Sequence, residues 1–123
     1  MNSEENQLEM VSKDGYDVGD IDNPSEEVQL AAVTQNGCAI QLIDNPCEVV
    51  QLVAAGKDPH IIKYIKKPSE AVILVAVSKN GCAIKWVTNP SDLIQIAAVK
   101  NDGCSVYYIK NPSEEVKDYI KNR

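Results

Sequence analysis

The sequence predicts an all-α solenoid of 22-residue helix-turn-helix repeats, each with a long buried helix and a short second helix. Two observations support this prediction. Five prolines recur at intervals of 22 residues, and an acidic residue follows each of them by two positions. A constant interval of this size is typical of an array in which one small supersecondary unit is copied and stacked. The prolines are Pro24, Pro46, Pro68, Pro90 and Pro112.

The whole chain of 123 residues fits this register, so we predict a single α-helical repeat domain spanning residues 1–123. Its units are a degenerate acidic cap at 1–22, four full repeats at 23–44, 45–66, 67–88 and 89–110, and a C-terminal half-unit cap at 111–123. A β-solenoid is disfavoured because strands alternate with a period of two residues, whereas the signals here are helix caps.

The first helix of each unit has start signals that are clear in residues 23–44. Asn23 suits the N-cap, Pro24 suits the first helical position, and Glu26 stands three residues after that cap. From this place a carboxylate can bond the cap amide. The acid is therefore predicted to stabilise the helix start rather than to act in acid catalysis.

The body of this helix is apolar nearly all round from Val28 to Val33, which predicts burial on more than one side. One column holds alanine in every full repeat, which predicts a close approach of neighbouring helices. Gly37 is expected to end the helix as a left-handed residue. These alanines are Ala32, Ala54, Ala76 and Ala98.

A short second helix is predicted from about Cys38 to Asp44, with Ile40 and Ile43 on its inner face. A helix this short is stable only when it packs on a partner. In the third unit, Gly56 and Pro59 depart from the pattern, so a local irregularity is expected near residues 56–60.

The phrase NPSEEVQLAAVTQNG, followed by a short AIxxI segment, resembles the repeats named "domain of unknown function 4116". The resemblance is strong over residues 23–110, partial over 111–123 and weak over 1–22. It implies short helical tandem repeats found in proteins of intracellular bacterial pathogens and large viruses. It also implies a role as a host-directed effector, or as a small protein that regulates one. The family has no assigned activity, and Gly56 and Pro59 depart from its pattern.

The net charge of −6 comes entirely from residues 1–22, because the rest of the chain has equal numbers of acids and bases. This acidic end is interpreted as a solubilising cap or as a docking surface for a basic partner. An acidic protein is a poor non-specific binder of nucleic acid. No segment resembles a signal peptide or a membrane span, so a soluble, cytoplasmic protein is expected. The family resemblance implies a further location, a host cell into which the protein is delivered.

The cysteines and the single histidine give little sign of catalysis. One column contains three cysteines and His60, but its members lie one repeat apart, too far to share a zinc ion or to form disulfides. We interpret these residues as small and buried, and Cys47 as exposed. Cys47 with His60 is the one nucleophile and base pair that the sequence offers. We therefore predict no enzyme activity, no cofactor and no metal. The column cysteines are Cys38, Cys82 and Cys104.

The second helices carry the most suggestive surface feature, because aromatic residues and lysines recur there in two adjacent columns. Tryptophan and tyrosine are enriched at protein interfaces, so a row of them predicts a protein-binding strip. The alternative is that the aromatic column packs against its neighbours. The candidate binding residues are Lys63, Tyr64, Lys85, Trp86, Tyr107 and Tyr108.

The predicted function is that of a non-enzymatic protein-binding module, because repeat arrays present long surfaces. Together with the resemblance, this predicts a small regulator or inhibitor of a larger bacterial effector enzyme. A free-standing effector or scaffold that binds a host protein is one alternative. Single-stranded nucleic-acid binding is another, since aromatic residues and lysines also build such platforms. The chain is expected to be a monomer or a homodimer.

Overall fold

The computed structural model describes residues 3–122; Met1, Asn2 and Arg123, at the ends of the first and last predicted units, lie outside the described residues. Between these limits the chain alternates α-helices with 3₁₀ helices and has no strand, which confirms the predicted helical repeat fold. The α-helices are α1 (Glu4–Lys13), α2 (Glu26–Gln35), α3 (Glu48–Lys57), α4 (Glu70–Lys79), α5 (Asp92–Asn101) and α6 (Glu114–Lys121). The 3₁₀ helices are η1 (Gly15–Asp20), η2 (Gly37–Leu42), η3 (Pro59–Tyr64), η4 (Gly81–Trp86) and η5 (Gly103–Tyr108).

The helices form two stacked rows. Each α-helix packs against the next α-helix, and each 3₁₀ helix packs against the next 3₁₀ helix. The helices α2 to α5 also contact the 3₁₀ helices that precede and follow them in the chain. The short second helix predicted for each full unit is a 3₁₀ helix, and in residues 23–44 it ends at Leu42 rather than near Asp44. The hydrophobic core fills the space between the rows, where Val28, Ile40 and Ile43 are buried.

The start of each α-helix differs from the prediction. Ser25, not Asn23, is the N-cap of α2, and its side-chain oxygen accepts a hydrogen bond from the Val28 N–H at 3.2 Å. Pro24 therefore precedes the cap, and Glu26 is the first helical residue rather than the third. The serine takes this role because its hydroxyl reaches the unpaired amides of the first turn. Glu26 still lies at the positive end of the helix dipole, where a carboxylate is stabilising.

The cap of α3 is the exception, because Cys47 replaces serine there and makes no side-chain hydrogen bond to the helix. Cys47→Ser is therefore expected to stabilise the fold by about 0.5–1 kcal/mol, since a capping hydroxyl is worth roughly this amount. Ser69→Cys is the matched control and should destabilise by a similar amount, because Ser69 caps α4. Urea denaturation of both variants measures the effect, and an unchanged midpoint for Cys47→Ser would contradict it.

The glycines after the α-helices are not left-handed, because no glycine among the described residues has positive φ. Gly37 is instead needed for close packing: a Cβ atom there would lie 3.0 Å from the Ala54 carbonyl oxygen. A Cβ atom on Gly81 would overlap the Ala98 carbonyl oxygen. The alanine column is fully buried, which confirms the predicted close approach of neighbouring units.

The left-handed residues are asparagines in the link from a 3₁₀ helix to the next α-helix. Asn23, Asn45 and Asn89 have φ angles of 50°, 50° and 54°. Asparagine tolerates this conformation better than most residues that carry a side chain. The turn after each α-helix uses a different device: the Asn36 side chain, for example, accepts a hydrogen bond from the Cys38 N–H at 3.0 Å.

The expected irregularity near residues 56–60 is absent. α3 and η3 have the same lengths as α2 and η2, and the cap residue Asp58 keeps an extended backbone like Asn36. Pro59 fits because it occupies the start of η3, where the fixed φ of proline is already suitable. The third unit is thus a regular member of the stack.

Candidate protein-interaction surface

The predicted binding residues lie at the ends of three consecutive 3₁₀ helices. Lys63 and Tyr64 end η3, the Lys85–Trp86 pair ends η4, and Tyr107 with Tyr108 ends η5. Because η3, η4 and η5 stack as neighbours, equivalent positions follow one another along one edge of the solenoid. We call the six residues 63, 64, 85, 86, 107 and 108 the aromatic–lysine strip.

The aromatic rings of the strip are partly packed and partly open. Tyr64, Trp86 and Tyr108 are 44%, 43% and 47% exposed, and Tyr107 is 85% exposed. Leu42 continues the same column in the preceding unit and is also half-exposed. The column therefore packs partly against its neighbours, as the alternative prediction has it, and each of its rings also keeps a face or an edge exposed.

Two lysines bridge the rings of neighbouring units. The Lys63 Nζ atom lies 5.2 Å from the Tyr64 ring centroid and 5.1 Å from that of Trp86. The Lys85 Nζ atom lies 5.3 Å from the Trp86 ring and 5.9 Å from the Tyr108 ring. Cation–π contacts at such exposed sites are each worth about 0.5–1 kcal/mol. The five residues form one alternating row, and Tyr107 makes none of these ring contacts.

A hydrogen bond across two units holds the indole of Trp86 in place. Its Nε1–H donates to the His60 Nδ1 atom at 3.1 Å, and the His60 Nε2 atom lies 3.4 Å from the Asn80 Nδ2 atom. The Nδ1 atom accepts this bond through its ring lone pair, which fixes the indole relative to the imidazole. His60 thus orients the central ring of the strip.

Three grooves follow the strip, each between two successive units, with volumes of about 430 to 580 Å³. Groove A is lined by Tyr64, Lys66 and Lys67 among others. Groove B is lined by Lys63, Lys66 and Trp86, and groove C by Lys85, Lys110 and Tyr108. Every groove therefore combines at least one aromatic ring with two lysines.

The four thiols differ in their exposure to solvent. Cys38 and Cys82 are partly buried, whereas Cys47 and Cys104 are exposed, and all four are free. Exposure of Cys47 is as predicted, but the column cysteines are less buried than expected, since Cys38 and Cys82 are only partly covered and Cys104 is exposed. The Cys38 Sγ–H donates a hydrogen bond to the Asp58 carboxylate. Burial, together with this carboxylate, raises the pKa of Cys38. A raised pKa disfavours the nucleophilic thiolate.

The Cys47 and His60 pair is not brought together. The Cys47 Sγ atom lies 3.6 Å from a Glu26 carboxylate oxygen, whereas the His60 ring contacts Trp86 and Asn80. Among the residues that the structure describes, no group of three or more His, Cys, Asp or Glu side chains could hold a metal ion.

A second exposed surface was missed by the sequence analysis. The outer side of the α-helices carries apolar side chains, and Val49 and Leu93 are 50% and 51% exposed. The sequence contains a signal for this surface, an apolar column formed by Val49, Ala71 and Leu93 at one position of three consecutive units. The prediction of burial rested on the run from Val28 to Val33, which does not include this column, and the two rows of helices leave this side open.

Comparison of the chain with protein-family models, curated proteins and solved structures finds no match. In the part of the chain from residue 3 to residue 122, no helix is long and apolar enough to cross a membrane.

Proposed function

We propose that this protein is a non-enzymatic protein-binding module that uses the aromatic–lysine strip to hold its partner. The observation that carries this proposal is the row of alternating lysines and half-exposed rings across three units. Tryptophan and tyrosine anchor many interfaces, and rings already oriented by neighbours lose little freedom on binding. The raised pKa of the Cys38 and Cys82 thiols gives no support to nucleophilic catalysis by these two residues.

The partner is proposed to be a larger bacterial effector enzyme that the protein regulates or inhibits, in the cytoplasm or after delivery into a host cell. This part of the proposal rests on the sequence resemblance alone. A free-standing effector or scaffold that binds a host protein would use the same strip. Single-stranded nucleic acid is a second candidate, favoured by the interleaving of lysines and rings. It predicts affinity that falls steeply with salt.

The test combines Trp86→Ala with Lys85→Glu. Truncation of a central aromatic anchor commonly costs about 2 kcal/mol or more, and about 1.4 kcal/mol is a factor of ten. The double variant is therefore expected to bind the partner more than tenfold less tightly and to keep its helical circular dichroism spectrum. Affinity capture from lysates, followed by mass spectrometry and titration of the captured protein, measures this change.

Leu93→Ala combined with Lys79→Glu is the matched control, because it removes one exposed apolar side chain and reverses one exposed lysine on the α-helix row. It should bind as the wild type does. If this control loses the partner and the strip variant does not, the α-helix row is the interface. If the strip variant unfolds, Trp86 is a structural residue.

A further inference from the structure

We propose that the aromatic–lysine strip recognises an extended acidic segment of the partner, with carboxylates three residues apart in a polyproline II conformation. This inference rests on the proposed protein-binding function and names the chemistry of the bound segment. It follows from three properties of the edge: unpaired positive charge, lysines held in place, and grooves that repeat once per unit.

The lysines of this edge have no carboxylate partner within the described residues. The ion pairs found between residues 3 and 122 are Lys13–Glu9 and Lys117–Glu114, and both lie on terminal helices. The edge therefore concentrates lysines that form no ion pair over units three to five. Asp44 is the one acid among the lining residues of grooves A, B and C. The edge lysines are Lys63, Lys66, Lys67, Lys85 and Lys110.

Two of these lysines are already positioned. Lys63 and Lys85 each lie over a ring of their own unit and a ring of the next unit. An ammonium group held in this way loses less rotamer freedom when a carboxylate binds to it. Both ammonium groups stand at the same position of successive units, so the distance between them equals the spacing between units of the solenoid.

The spacing between these two lysines favours one conformation of the bound segment, the one that places its carboxylates at the same spacing. Neighbouring packed helices lie about 8–10 Å apart. A polyproline II segment rises about 3.1 Å per residue with three residues per turn, so residues three apart share one face about 9 Å from each other. In a β-strand, residues three apart point to opposite faces. Grooves B and C, lined by rings, can take apolar side chains between the acids, as aromatic grooves do for proline-rich segments.

Two synthetic probes of equal composition and charge test the spacing. One peptide repeats Glu-Pro-Pro four times, and the other places four glutamates before eight prolines. Neither contains an aromatic residue, so the fluorescence of Trp86, the only tryptophan, reports binding. The regular peptide is expected to bind at least tenfold more tightly than the clustered one. Equal affinities, or no binding of either peptide, would overturn the proposal.

The variants Lys63→Gln with Lys85→Gln should weaken binding of the regular peptide at least tenfold. Lys57→Gln with Lys79→Gln, which removes two exposed lysines at the ends of α3 and α4, should change it less than twofold. Tighter binding of an oligothymidine than of the regular peptide would assign the strip to nucleic acid and overturn the inference. If both peptides fail while Trp86→Ala with Lys85→Glu still loses the natural partner, the protein-binding function stands and the acidic segment is wrong.

Discussion

Gly81→Ala is expected to lower the free energy of unfolding by about 1–3 kcal/mol while the protein still folds. The added methyl group would overlap the Ala98 carbonyl oxygen and the Ser105 hydroxyl of the next unit. The first of these is backbone, so neighbouring units must move apart, and overpacking of this kind costs about this much. Folding should survive because Pro59 already carries a Cβ atom at the same position of the third unit.

Gly56→Ala provides the control, since a Cβ atom there would meet nothing closer than a Val75 methyl group at 4.0 Å. Gly56 lies within α3, where alanine is favoured over glycine by about 0.5–1 kcal/mol. The midpoints of thermal and urea denaturation should therefore fall for Gly81→Ala and rise for Gly56→Ala. If Gly81→Ala melts as the wild type does, neighbouring units are not in the close contact described above.

The fold could be predicted from the sequence because its dominant signal is not local. The 22-residue interval holds over the whole chain, so one correct unit specifies all the others. The two rows of helices follow from one apolar helix and one short partner per unit. The second element could not be identified as a 3₁₀ helix because buried residues such as Ile40 and Ile43 fit either helical period in so short a segment.

The prediction assigned the N-cap to Asn23 instead of Ser25, and the left-handed conformation to Gly37 instead of Asn23. Both errors have a physical reason. Asn23 and Ser25 are both good N-cap residues, and general preference does not choose between positions two residues apart. Gly37 and Asn23 can both be left-handed, and the choice depends on contact with the next unit. A Cβ atom at position 37 would lie only 3.0 Å from the Ala54 carbonyl oxygen, and this close contact is invisible in one repeat taken alone.

The sequence predicts which residues of the aromatic–lysine strip share a column, but it does not predict which side chains of neighbouring units touch. Alignment of the repeats shows that Tyr64, Trp86 and Tyr108 share an edge. It does not show that Lys63 reaches the ring of the next unit, or that the Trp86 indole donates to His60, which is 26 residues away in the chain. Such contacts depend on side-chain rotamers across the interface between units. The open α-helix row was missed because apolar columns look the same whether a third row covers them or not.

Ile84→Ala is expected to have the largest effect on stability, a loss of about 2–5 kcal/mol. Ile84 is 1% exposed and lies in η4, a six-residue helix that depends on packing because it is too short to form alone. Removal of a buried isoleucine side chain forfeits its transfer free energy and leaves a cavity.

Leu93→Ala is the matched control for this change, because Leu93 is 51% exposed and its truncation should cost less than about 1 kcal/mol. Urea denaturation followed by circular dichroism gives the free energies. The fluorescence of Trp86 in the same 3₁₀ helix reports whether η4 is lost together with the α-helices. A loss below 1 kcal/mol for Ile84→Ala would mean that the α-helix row is stable without the 3₁₀ row. In that case the strip would stand on a layer that can open independently, and its rings could not be pre-positioned for a partner.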